Sequence, residues 1–219
     1  MKKTALAKAF LAGTAGLLMT GAALAQTATA TATVDLNIRS GPGPQHPVVG
    51  VIANGSTAVV QGCLDQSMWC QVEYAGTVGW AYSDYLTVDA QGQAIVLTQR
   101  PAELIGPVEA DTTANSAVTG AAGGAVAGAL IGGPIGAAVG GAIGATAGIV
   151  IDPPETARTY VTSNPVTTVY LEGEVVVGAR LPETVTITPI PDYEYSYAYI
   201  NGVPVLISPA DRQIVYVFR

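Results

Sequence analysis

Lysine does not occur in this 219-residue chain after position 8, and that absence removes whole chemistries. A Walker-type phosphate loop and a Schiff-base enzyme both need a lysine amine, so neither fits. Histidine occurs once, at His46, and cysteine twice, at Cys63 and Cys70, too few for a four-ligand zinc site. No metal and no cofactor is expected. From residue 26 onward six arginines stand against sixteen acids, a formal charge of −10, which repels nucleic acid and anionic lipid headgroups. No segment offers a paired nucleophile and base, so no enzyme is expected either.

What is present begins with a targeting signal. Lys2, Lys3 and Lys8 precede an apolar run, Ala9 to Ala25, that closes on Ala23-Leu24-Ala25. Residues 1–25 therefore read as a secretory signal peptide cleaved before Gln26, with a retained N-terminal anchor as the alternative. The expected location is the periplasm or an envelope membrane. In that oxidising setting Cys63 and Cys70, seven apart in GCLDQSMWCQV around a hairpin turn, are expected to form a disulfide. Two free thiols in a core are the alternative.

Residues 31–90 alternate short apolar runs with turn residues, the pattern of several short antiparallel strands. Val34, Leu36 and Ile38 point one way; Asp35, Asn37 and Arg39 point the other. Turns at Ser40-Gly41-Pro42-Gly43 and Asn54-Gly55 separate runs such as VVGVI and TAVVQGC. Five or so strands in this length suit a small β-barrel. The phrases LNIRSGPG, the Gly-Cys to Trp-Cys pair, G-x-x-GW and the closing YL resemble the bacterial SH3 domain. That resemblance implies an SH3-like barrel and binding of cell-wall peptide (peptidoglycan) or another envelope ligand, often beside a second domain.

A ligand surface on such a barrel would use aromatic and polar residues near its distal loops: Arg39, His46, Trp69, Trp80, Tyr82 and Tyr85. A packing use competes with the binding use at several of them. Trp69 and Trp80 stand where a small barrel needs bulk, and His46 in its Gly/Pro loop reads most simply as a solvated loop residue.

Residues 91–117, rich in Ala, Thr, Pro and acids, read as a linker. Beyond them glycine recurs at every fourth position: Gly120, Gly124, Gly128, Gly132, Gly136, Gly140, Gly144 and Gly148. Forty residues from Thr112 to Ile151 carry no charge. Glycine costs about 1 kcal/mol in a helix relative to alanine, so the pattern needs a compensating use for bare backbone. A fold-back at Gly132-Gly133-Pro134 gives a helical hairpin over 118–151 whose two arms touch through glycine faces, entering a membrane or joining copies of the chain. The segment resembles the glycine-zipper regions of bacterial envelope proteins; a low-complexity linker outside any membrane is the alternative.

Residues 158–219 form a third unit, small and β-rich. Tyr193, Tyr195, Tyr197 and Tyr199 alternate along one expected strand, Asn201-Gly202 supplies a type I′ turn, and VPVLIS and QIVYVFR complete a three-stranded meander, with Asp211 and Arg212 capping its second turn. An upstream strand pair is expected in TVYLEGEVVVG, and the tyrosines are expected to pack across strands with hydroxyls in water. YVTSNPV, VYLEGEVVVGARLPETV and IPDYEYSYAYINGVPVLISPADRQIVYVFR resemble the family called domain of unknown function 1236.

The expected class is thus mainly β: an SH3-like barrel, a Gly/Ala-rich helical hairpin and a small β-rich C-terminal domain. The expected function is that of a non-catalytic cell-envelope protein, its barrel on the wall or a partner and its zipper in a membrane or in a homo-oligomer. A soluble periplasmic self-associating protein, or an accessory of a cell-wall hydrolase, is the alternative.

Overall fold

Apolar alternation broken by glycine turns folds here as antiparallel sheet, and mainly β is what the chain is. The computed structural model describes residues 28–65, 67–90, 92–99, 105, 107, 125–130 and 151–219. The N-terminal strands are β1 (Ala28–Ala32), β2 (Leu36–Arg39), β3 (Val48–Ile52), β4 (Thr57–Cys63), β5 (Trp69–Tyr74), β6 (Thr77–Tyr82), β7 (Leu86–Ala90) and β8 (Gln93–Val96). They join in one sheet in the order β3-β2-β6-β5-β4-β1-β7-β8. β5 and β6 pair tightly because Ala75 and Gly76, with φ of 49° and 79°, form the two-residue connection that matches strand twist. Cys63 and Cys70 face each other across β4 and β5 and are disulfide-bonded, as expected. β8 carries the sheet past residue 90, into the stretch read as a linker.

Two further elements follow, β9 (Ala125–Leu130) and the helix α1 (Glu155–Ser163). β9 corrects the expected helical hairpin where the two overlap. Within the first arm, Ala125–Leu130 is a strand paired in parallel with β10 (Tyr170–Glu172), so that part of the hairpin is not helical. Gly128 is a poor helix former, and the neighbouring strand supplies the hydrogen bonds a helix would have made for itself. The remaining zipper glycines, Gly120, Gly124, Gly132, Gly136, Gly140, Gly144 and Gly148, lie outside the described residues, as does the signal peptide. Among the described residues no helix is long and apolar enough to cross a membrane.

The C-terminal sheet comprises β11 (Thr188–Pro189), β12 (Ser196–Ile200), β13 (Val203–Ile207) and β14 (Ile214–Val217), all antiparallel. The meander is there, and Asn201 and Gly202 at φ 52° and 78° make the expected turn. Two expectations are corrected. TVYLEGEVVVG yields only the short β10; Glu174, Val175 and Val176 are fully buried in irregular chain, because that segment is packed between the two sheets. The tyrosine row packs under α1, which residue patterning had not placed, and Tyr197 and Tyr199 donate their hydroxyls to the carbonyls of Asn164 and Val161 at 2.7 and 3.1 Å. A helix C-terminus leaves carbonyls unpaired, and these two phenols answer that need.

Period-two alternation gives the C-terminal sheet two apolar faces. Tyr197, Leu206 and Val215 meet Ala157 and Val161 of α1 on one side. Ala198, Ile200, Val205, Ile207 and Ile214 on the other join the core of the N-terminal sheet in one continuous cluster. The molecule is layered as sheet, sheet, helix.

Candidate functional site

All four residues of β2 are buried, although a strand at the surface of a barrel should bury only alternate ones. Leu36 and Ile38 face the interior of the N-terminal sheet; Asn37 and Arg39, 1% and 0% exposed, are covered from outside. Paired residues in an antiparallel ladder share a face, and Arg39 pairs with Trp80, which pairs with Gln71, while Tyr82 pairs with Trp69. Arg39, Trp69, Trp80 and Tyr82 therefore lie on one outer face.

The C-terminal unit covers this face. Arg39 donates from Nε and Nη2 to the two carboxylate oxygens of Glu174 at 2.5 and 2.6 Å, with both side chains fully buried. Its Nη1 reaches the carbonyls of Pro44, His46 and Asn201 at 3.0, 2.7 and 3.1 Å. Asn37 Nδ2 adds a hydrogen bond to Glu174 Oε1 at 3.1 Å, and the Val175 amide another at 2.8 Å. Arg219 donates to Asn37 Oδ1 and to the carbonyl of Asp35. Asn201, at its turn, also accepts from the Leu171 amide and donates to Gly173. A buried ion pair is tolerable only when its remaining donors and acceptors are met, and here they are.

His46 lies beside this pair, 7% exposed, in a loop closed by Ser40 N to Pro47 O at 3.0 Å. Its ring lies against Gly41, where a Cβ would come within 2.5 Å of Nδ1. Burial, and then the nearby Arg39 cation, hold its pKa below the usual 6.5, and Nε2 has no hydrogen-bond partner among the described residues. Trp69 and Tyr82 meet edge to face at 5.4 Å, with Tyr85 6.2 Å from Tyr82. Burial foremost, and then Asp84, raise the pKa of Tyr82 and Tyr85, with Glu172 adding at Tyr82 and Glu174 at Tyr85.

Thus the structure brings together five of the six candidate ligand residues on or beside one face and buries all six, Tyr85 at 4% exposure included. Sequence reasoning missed Asn37, Glu174 and Asn201. Glu174 carried only a weak signal, an acid set directly against the apolar run Val175–Val177, with Glu172 two residues before it. Among the described residues no group of His, Cys, Asp and Glu could hold a metal.

The segment that carries this face, with its SGPG loop and its Gly79-Trp80 strand, matches a known family model. Residues 34–87 match the bacterial SH3 domain. Residues 160–219 match a domain of unknown function, DUF1236. The Arg39–Glu174 pair therefore joins the SH3 domain to the second matched region. Two strands of the SH3 sheet, β1 and β8, and the first turn of α1 lie outside both matches. Over 61 residues the chain is 38% identical to the Bacillus subtilis (strain 168) protein named "Putative N-acetylmuramoyl-L-alanine amidase YrvJ", which is 27% of this chain and 11% of that protein. The chain thus spans only a small part of that relative.

Proposed function

We propose that this is a non-catalytic cell-envelope protein whose SH3 domain docks on cell-wall peptide or on an envelope protein. The observation that carries the reading is the match of residues 34–87 to the bacterial SH3 domain. Similarity to a protein named as an amidase of N-acetylmuramoyl-L-alanine supports a wall setting, and an accessory role beside a wall hydrolase fits it too. Because Arg39 of β2 and Trp80 and Tyr82 of β6 are buried, contacts of the closed chain run through the end of the same face that stays open, the row Val59, Glu73 and Val78, where the two valines are 40% and 51% exposed.

Cosedimentation of the full chain with purified sacculi tests this. The chain is expected in the pellet, and V59T/V78T, which keeps β-branched side chains and adds no charge opposite Glu73, is expected to shift it at least several-fold toward the supernatant with its melting temperature little changed. A wild-type chain that stays in the supernatant overturns the reading.

Residues 118–151 would anchor the protein or join its copies. One observation favours self-association without membrane insertion: Ala125–Leu130 pairs as a strand with β10, which a membrane-crossing helix at that place could not do. Release by osmotic shock supports that version; retention through an alkaline carbonate wash until detergent is added supports insertion.

A further inference from the structure

Arg39 has five N–H groups in a rigid fork, and they divide into two sets. Nη1 is held largely from within the SH3 domain, by the carbonyls of Pro44 and His46 in the loop that follows β2. Those two bonds do not involve Glu174, although the third bond of Nη1, to the Asn201 carbonyl, comes from the C-terminal unit. Nε and Nη2 point at the carboxylate side by side, the bidentate geometry that suits a planar carboxylate best. Asn37 Nδ2, two residues back on the same strand face, aims a third donor at the same group. The surroundings are dry: Arg39, Glu174 and Asn37 are exposed by 1% or less.

We propose that Asn37 and Arg39 form a carboxylate receptor on the outer face of the SH3 domain, filled in cis by Glu174, whose ligand class is the acidic side chain of a peptide. Glu174 itself arrives on irregular chain beyond β10, past a bend at Gly173, its own Val175 amide folded back on Oε1. Its seat therefore shows what an incoming acidic segment must present: one carboxylate, with apolar neighbours such as Val175 and Val176 against the sheet. This site is independent of wall binding.

Chemical rescue tests the receptor in the full chain. Glu174→Ala empties the seat and leaves Arg39 buried without its partner, so its melting temperature is expected to fall by on the order of 10 °C. Sodium acetate is the probe, compared with sodium chloride at equal ionic strength. Acetate is expected to restore a large part of the loss in E174A along a saturating curve, and less in N37A/E174A. It should have no effect beyond chloride on the wild type, whose own carboxylate fills the seat. If E174A does not fold in chloride, recovery of the folded tryptophan emission in acetate is the expected result. Equal response to both salts, equal rescue with and without Asn37, or an E174A chain that stays unfolded in acetate would each overturn the proposal.

Discussion

Gly79 shows how tightly single residues are specified around the site. A Cβ there would stand 2.5 Å from the Arg39 carbonyl oxygen and 2.5 Å from Ile38 Cγ2, a collision with backbone that no rotamer relieves. Gly79→Ala is expected to cost about 1–3 kcal/mol, read as a lowered urea midpoint. His46 makes a prediction about pH. Its folded pKa lies below 6.5, so the unfolded chain takes up the proton first and stability, full above about pH 6.5, is lost as pH falls. His46→Gln should remove that component, and melting temperatures of the two chains should converge in mild acid; a constant offset across the range would refute it. Residue identity alone revealed the disulfide and the Asn201-Gly202 turn, because each is set by two residues close in sequence. It did not reveal the Arg39 seat, because the partner lies 135 positions away and strand alternation says which residues point outward without saying what covers them.

At the scale of elements, α1 is held to the sheet by packing and by phenol-to-carbonyl bonds. Tyr197→Phe removes the bond to Asn164 and leaves that carbonyl unpaired in a partly buried place, so a loss of about 1 kcal/mol is expected in denaturant unfolding. Arg158 ties the same helix to β14, its Cζ 4.9 Å from the centre of the Tyr216 ring and its Nη1 2.6 Å from the Tyr216 hydroxyl. The helix was hard to see in the sequence because its nine residues include three threonines and a valine, poor helix formers, and only Ala157, Tyr160 and Val161 mark its apolar side. The disulfide between β4 and β5 closes a short loop. Reducing it is expected to lower stability by about 2–3 kcal/mol, seen as an earlier melt in reductant.

Over the whole molecule the two matched regions share one hydrophobic cluster and one buried polar network. A single cooperative unfolding transition is expected, with tryptophan emission from Trp69 and Trp80 and circular dichroism from the C-terminal sheet coinciding. Arg39→Ala, which leaves Glu174 buried without its partner, should lower stability by about 3–5 kcal/mol and lower both signals together. Two separate transitions in the wild type would mean that the regions fold as independent bodies. The two matched regions were legible as separate β-rich stretches in the sequence. Their union was not, since composition records what each segment contains and leaves out which surfaces meet.

The wide separation of Arg39 from Glu174 also has a history in time. Synthesis runs from the N-terminus at about 5–20 residues per second, so the 135 positions between the two partners amount to roughly 7–27 s in which Arg39 exists and Glu174 does not. Only in the last 92 of those positions, from Tyr82 to Glu174, are Trp69, Trp80, Tyr82 and the Arg39 fork all made while their cover is not. A holding chaperone would find its foothold there and lose it once Glu174 arrives.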